Sequence, residues 1–321
     1  MSLTTASHPS RVPAIGVDLG GTKTEAIVLD GAGRTLWRER VATPAGDYAA
    51  TLAAVAALVA RAEHDTGVRG ATVGVGTPGA LDPEGRLKNA NSTCLNGHRL
   101  QDDLAGALGR PVRIANDANC LALSEATDGA AAGSTVSFSV ILGTGVGAGI
   151  VVAGRLLDGP NRLAGEWGHN PLPWAREDER PGARCYCGQR GCIETWLCGP
   201  GLARDHAAHG GDALTAAQIA ARAATGDEAC AATLRRHESR VARSLAHVIN
   251  LVDPDMIVLA GGVSALDGLL VNVPRLWGEF VFSAGMRGGA VRTRLVRSLH
   301  GDSSGVRGAA WLWRDATARV G

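Results

Sequence analysis

"IGVDLGGTKTEAIVLDGAG" (residues 15–33) is an apolar run closed by two glycines and followed almost at once by a second apolar run. Aliphatic and β-branched residues bounded by glycine read as strand, tight turn, strand. "TVSFSVILGTGVGAGIVVAG" (135–154) echoes the same design. Around these two hairpins, strand-like and helix-like segments alternate, which predicts an α/β protein. "TLWRERVAT" (35–43) extends the first hairpin, and helix signals run over 48–64. "GATVGVGTPG" (70–79) is a buried strand ending in a Gly/Pro turn. "PVRIANDANCLALSEA" (111–126) is a short strand running into a helix that begins at Asp117 or Ala118. "RVARSLAHVINLVDPDMIVLAGGVS" (240–264) is a long helix, a proline turn and a buried strand, and "SSGVRGAAWLW" (303–313) is helical. The expectation is two α/β lobes, 14–125 and 126–303. A disordered leader (1–13) precedes them, and a C-terminal helix of about 304–321 packs back on the first lobe.

Composition narrows the function classes. The 321 residues can bury a large core; 45% are hydrophobic and 20% charged, as in soluble globular chains. Net charge is +1 with no Lys/Arg block, so neither a nucleic-acid footprint nor a polybasic membrane patch is expected. No apolar run has the length of a membrane span; the longest helical candidate, Thr51 to Arg61, is Ala-rich and short. "MSLTTASHPSRV" lacks the apolar centre of a signal peptide, so the expected compartment is the cytoplasm.

The glycine turns carry the first chemistry. In "DLGGTKTE" (18–25) and "LGTGVGAG" (142–149), glycines at a strand end let backbone N–H groups approach an anion, and Thr22 and Thr144 add hydroxyls. Polyphosphate is the natural ligand for Gly20, Gly21, Thr22, Gly143, Thr144, Gly145 and Gly147, joined by the pair Gly261 and Gly262 in "LAGGVS". The P-loop spacing is absent, and no helix follows at once as a dinucleotide fingerprint requires. Either loop alone is equally well a tight hairpin. Asp18 is a candidate for Mg²⁺ through water, or a turn cap. Lys23 supplies charge to phosphate, or faces solvent.

Three of seven cysteines fall in "CYCGQRGC" (185–192). Disulfides are rare in a reducing cytosol, and a thioredoxin-like C-x-x-C is absent. Three thiolates spaced C-x-C-x4-C suit a tetrahedral Zn²⁺, which wants a fourth ligand. Cys94, Cys120, Cys198 and Cys230 stand singly and read as buried inert thiols. Asp117, at a strand-to-helix junction, reads first as the helix N-cap and second as an exposed carboxylate able to act as a base.

"GVDLGGTK", "GVGTPG", "NDANC", "GTGVGAG", "GEWGHNP" and "CYCGQRGCIE" together, from residue 14 onward, resemble the ROK family of sugar kinases and repressors. The resemblance implies the two-lobed hexokinase/actin-like ATPase fold, with ribonuclease-H-like lobes and a structural zinc loop. It also implies Mg²⁺-ATP as phosphoryl donor and closure of the lobes over the substrate. Asp117 then becomes the general base towards a sugar hydroxyl. Asn116, Glu166, His169 and Glu194 become sugar contacts, and Gly79 and Asn91 lie on the loop lining the same cleft. His169 doubles as the fourth zinc ligand beside Cys185, Cys187 and Cys192, so zinc would staple the segments bearing Glu166 and Glu194. "KNANSTCLNG" (88–97) and "HGDSSGVRGAAWLW" (300–313) look most like the bacterial fructokinase/mannokinase branch. That implies transfer to the 6-hydroxyl of fructose, with mannose second. N-acetylglucosamine, N-acetylmannosamine and glucose are the alternatives within the family. Repressors of the family carry a helix-turn-helix module ahead of the first glycine loop, where this chain has roughly fifteen residues. A non-catalytic sugar-binding regulator is the remaining reading, and relatives imply a homodimer.

Overall fold

The computed structural model describes residues 12–282 and 291–314. The expected leader through residue 11 and the C-terminal helix beyond residue 314 lie outside the described residues. The chain opens with β1 (Ala14–Leu19), β2 (Lys23–Leu29), β3 (Thr35–Ala42), α1 (Tyr48–Thr66) and β4 (Thr72–Thr77). Next come β5 (Ala80–Leu81), β6 (Leu87–Lys88), α2 (Leu100–Leu108), β7 (Val112–Asn116) and α3 (Asp117–Thr127). The middle holds β8 (Val136–Leu142), β9 (Val146–Val152), β10 (Arg155–Leu156), α4 (Ile193–Leu197), α5 (Gly199–Ala208) and α6 (Ala216–Ala224). It ends with α7 (Glu228–Val252), β11 (Met256–Ala260), α8 (Gly268–Leu276), β12 (Arg294–Arg297) and α9 (Ser304–Trp311).

Two compact units result. The first runs to Asp128 and adds Asp158–Leu163 and the segment from Ser303; the second comprises Gly129–Leu157 and Ala164–Asp302. Each is built on a five-stranded sheet, ordered β3-β2-β1-β4-β7 in the first and β10-β9-β8-β11-β12 in the second. In both, the glycine turn joins an antiparallel pair, and parallel strands flank it.

In the first unit β1 and β4 run parallel with Asp18 opposite Gly76, and β4 and β7 with Thr77 opposite Asn116. Asp18 and the Asn116–Asp117 junction thus stand at the carboxyl ends of parallel strands, the edge where open α/β sheets present their ligand groups. Ile15, Val17, Val28, Val55, Leu58, Val73, Val75 and Leu104 form the core. α9 seats directly on the sheet. A Cβ at Gly16 would lie 2.0 Å from the Val306 carbonyl oxygen, and one at Gly74 only 1.9 Å from that of Ala309. Glycine is therefore required for this helix-on-strand contact.

The second unit packs Phe138, Val140, Leu142, Trp167, Leu245, Ile257 and Leu259 into its own core. The longest described helix is α7, with 25 residues, rather than the expected Thr51–Arg61 segment. It starts twelve residues before the apolar stretch that betrayed it, because Asp227 caps it by accepting from Cys230 N. Among the described residues no helix is long and apolar enough to cross a membrane. Cys120, Cys198 and Cys230 are buried as expected, whereas Cys94 is only half-buried at the edge of the first core.

Candidate active site

The first unit assembles a cluster of acids at the strand ends. α3 begins at Asp117, but its cap is Asn116, whose Oδ1 accepts from Asn119 N at 2.7 Å. Asp117 is therefore not the cap. Its Oδ1 accepts from Ala118 N at 2.8 Å and its side chain stays open to solvent. Protein packed around it still pushes its carboxyl above the ordinary aspartate range, against the pull of bonds from the Ala118 backbone and its own. Asp18 is pushed up to about 6, first by burial and then by the charges of Asp117 and Glu25. Glu25, opposite Asp18 on β2, is buried and clamped by Arg38 and by Arg40, whose Nη2 lies 2.5 Å from Oε2.

The first glycine turn is braced from β3. Gly20 N donates to the Lys23 carbonyl at 3.0 Å, and Thr43 Oγ1 donates to the Gly20 carbonyl at 2.8 Å. Thr22 and Lys23 are exposed, and Lys23 opens β2. Asn91 comes next to this turn: a Cβ on Gly21 would lie 2.9 Å from Ser92 Oγ and 3.9 Å from Asn91 Oδ1. Ser92 Oγ is buried with no hydrogen-bond partner among the described residues. Gly79 (φ 82°) turns the chain where a Cβ would strike the Lys88 carbonyl at 2.4 Å, which gives it a backbone role.

The second unit joins its glycine loop to the carboxylate of Glu194. Val146 N donates to Glu194 Oε2 at 3.0 Å, and Gly143 N donates to the Gly145 carbonyl at 3.0 Å. Those two N–H groups are taken by the protein itself, while the Thr144 side chain is exposed. Gly147 lies within β9, paired with Ile141. Gly261 (φ 85°) sets the end of β11 against β8, since a Cβ there would meet the Leu142 carbonyl at 2.4 Å. Gly262 has open space around it.

His169, Cys185, Cys187 and Cys192 converge, with one donor atom from each inside a 4.8 Å span. Cys185 Sγ lies 3.5 Å from His169 Nδ1, and Cys187 Sγ lies 3.6 Å from Cys192 Sγ. A tetrahedral ion with metal–ligand bonds of about 2.0–2.3 Å has edges of roughly 3.5–3.8 Å, so the donor set fits one. Its neighbours are the predicted sugar residues: Glu194 Oε1 is 3.8 Å from Cys185 Sγ, and Glu166 Oε2 is 3.9 Å from His169 Nε2.

Two features escape sequence reasoning. The Tyr186 hydroxyl lies 2.9 Å from His169 Nε2. Behind the cysteine segment, Arg236, Arg240 and Arg243 project from successive turns of α7. Arg240 and Arg243 both bind Glu179 at 2.7–2.8 Å, Arg240 and Arg236 both bind Asp205 at 2.8 Å, and the Arg240 guanidinium lies over Trp196 at 4.5 Å. The available sign was the spacing of arginines at i, i+4 and i+7, which places them on one face of the helix.

The family model described as "ROK family" matches residues 14–316. The chain belongs to the ROK family. Among its ROK relatives, the N-acetyl-D-glucosamine kinase of Salmonella paratyphi B is 39% identical over 302 residues, 92% of this chain and 98% of that protein. The crystal structure of a ROK hexokinase from Thermus thermophilus superposes with TM-score 0.83 at 32% identity, covering 97% of this chain and 100% of that one. A ROK glucokinase from Streptomyces griseus, in complex with glucose and AMPPNP, superposes with TM-score 0.73 at 30% identity, over 94% and 99% of the two chains. The fructokinase branch finds no support among these relatives. Residues of both stretches that pointed to it have local structural roles. Asn96 closes the 90–96 loop with two bonds to the Ala90 backbone, both 2.9 Å. Gly308 lets α9 meet α3, where a Cβ would stand 1.7 Å from the Cys120 carbonyl.

Proposed function

We propose that this chain is an ATP-dependent sugar kinase acting on N-acetyl-D-glucosamine, with Asp117 as general base. The carrying observation is that Asn116 takes the cap of α3, so the Asp117 carboxylate is left at the carboxyl edge of the sheet, bonded among the described residues only to the backbone of Ala118 and of Asp117 itself. The 39% identity to an N-acetyl-D-glucosamine kinase supports that sugar over fructose. Asp117 accepts the proton of the 6-hydroxyl as that oxygen bonds to the γ-phosphorus. The bond from the γ-phosphorus to the β,γ-bridging oxygen breaks, and ADP leaves. A carboxyl held above the usual aspartate range is better matched to removing an alcohol proton near neutral pH.

Asn116 keeps its Nδ2 for the sugar, and Asn91, Glu166, His169 and Glu194 contribute donors and acceptors to its remaining polar groups. Backbone N–H groups at Gly21–Thr22, Thr144–Gly145 and Gly261–Gly262, with the hydroxyls of Thr22 and Thr144, bind the phosphates, while Gly20 shapes the first turn through its bond to the Lys23 carbonyl. Lys23 adds charge there. Asp18 is the carboxylate to hold Mg²⁺, which neutralises phosphate charge when bound. Zinc is the ion that Cys185, Cys187, Cys192 and His169 hold; four protein ligands leave it structural. A cytoplasmic homodimer completes the proposal.

ADP release from Mg²⁺-ATP, measured across N-acetyl-D-glucosamine, N-acetylmannosamine, glucose, mannose and fructose, tests the reading. The expected result is a clear preference for N-acetyl-D-glucosamine. A preference for fructose would restore the branch set aside above. Silence with all five would leave the regulator reading.

A further inference from the structure

Tyr186 sits between two metal-site cysteines, yet its side chain turns to the histidine of that site. The residue is 77% exposed. What holds the ring is His169: the two ring planes are nearly perpendicular (88°) with centroids 5.0 Å apart, and the hydroxyl reaches Nε2 at 2.9 Å. His169 Nδ1 faces the thiols, 3.5 Å from Cys185 Sγ. A ring nitrogen that ligates a metal presents its lone pair, so the proton resides on the other nitrogen, which then donates to a nearby acceptor. Here that acceptor is the Tyr186 oxygen. Glu166 Oε2, at 3.9 Å from Nε2, is too far for a hydrogen bond. Tyr186 therefore sits among three groups that the kinase reading gives to the sugar, with its hydroxyl on one of them.

Nε2 carries a single N–H. A sugar oxygen and the tyrosine oxygen cannot both take it in good geometry. We propose that Tyr186 is a positioning residue for the sugar site: its hydroxyl holds the His169 Nε2–H while no sugar is bound and is displaced by the sugar oxygen that binds there. The inference deepens the sugar-kinase reading and rests on it. An exposed ring secured at its tip is easily displaced, because little buried area is lost when it leaves. A sugar lacking an oxygen at that position cannot make the exchange, so the contact raises the selectivity of the site while it lowers the affinity for every sugar that enters.

The test is calorimetric binding of N-acetyl-D-glucosamine, without nucleotide, to metal-loaded wild-type protein and to Tyr186→Phe. Phenylalanine keeps the ring and removes the competing oxygen. Tyr186→Phe is expected to bind the sugar ~2–10-fold tighter, the change associated with one net hydrogen bond, with metal content per chain unaltered. In turnover the sugar KM should fall by a similar factor while kcat moves less. A ¹⁵N-histidine spectrum gives a readout that needs no sugar: the His169 Nε2 proton should exchange with solvent faster in Tyr186→Phe. Equal or weaker sugar binding by Tyr186→Phe overturns the proposal and leaves the kinase reading intact, as does an unchanged exchange rate. Failure of the wild type to bind any of the five sugars overturns the kinase reading, and this inference with it.

Discussion

Asp117 and Asp18 are two aspartates raised by the same crowding, and they answer different experiments. Asp117→Asn preserves shape and the Ala118 bond but cannot accept a proton. Its kcat should fall ~10²–10⁴-fold, the range of a positioned general base, with ATP binding near wild type and a melting temperature no lower than wild type. A coupled ADP assay checks this, and turnover within tenfold of wild type would remove Asp117 from the role. Asp18 is read through stability. Its folded value of about 6 exceeds the unfolded value of 3.8, so the fold favours the protonated acid. Below pH 3.8 the ionisation costs nothing, between 3.8 and 6 raising the pH costs stability, and above 6 the full cost is present. Asp18→Asn removes that cost. Nucleotide-free Asp18→Asn should be more stable than wild type at pH 8, by at most ~3 kcal/mol, and the difference should vanish below pH 3.8, for instance at pH ~3. Denaturation curves at the two pH values decide it; equal stability at pH 8 would show that Asp18 is already relaxed.

At the scale of elements, α7 is both core and anchor. Arg240, Arg243, Glu179 and Asp205 are each at most 4% exposed at the side chain, so their charges depend on one another. Burial would raise Glu179, but bonds from Arg243, the Arg176 backbone and Arg240 outweigh it and hold the carboxyl at about 2. That stabilisation is present above pH 4.5 and lost as pH falls towards 2. Glu179 belongs to the segment between His169 and Cys185, and Trp196 follows Glu194 by two residues, so the ladder grips the metal loop on both sides. Arg240→Met leaves two carboxylates short of a partner inside the protein and should cost ~3–5 kcal/mol. Thermal melts measure it, and a midpoint lowered by less than ~2 °C would mean the remaining arginines suffice. α9 shows the opposite means of anchoring, with no charge at the contact: Gly16, Gly74 and Gly308 let backbone lie on backbone.

For the molecule as a whole, two units with separate cores each carry part of the proposed chemistry, the base in one and the metal site in the other. Glu166 and His169 lie on one short turn, and Cys192 and Glu194 at the start of α4, so a metal ion would tie both segments at one point. Stripping it with a strong chelator should release about one zinc per chain and raise the sugar KM more than the ATP KM. The melting temperature should also fall. Metal analysis with steady-state kinetics checks this, and a stripped protein that keeps its sugar KM would confine the ion to a purely structural duty. Cys187→Ser should carry substoichiometric zinc.

What the sequence determined by itself is what short-range chemistry determines. The glycine hairpins, the strand-to-helix step at Asp117 and the C-x-C-x4-C spacing are each written within about ten residues, where chain geometry leaves few outcomes. Family motifs extended that reach to His169 and to the sugar residues. The tertiary structure alone decided the rest. Asn116 rather than Asp117 caps α3 because the cap depends on φ and ψ at one junction. Tyr186 meets His169, and Arg243 meets Glu179 across 64 residues, because loops and helices fold back onto one another. Sugar preference is least legible of all, since it depends on which polar atoms converge and which are already taken. A ten-residue motif such as "KNANSTCLNG" records how its own loop closes, and hydrogen-bond partners are chosen by proximity in space, which sequence spacing does not encode.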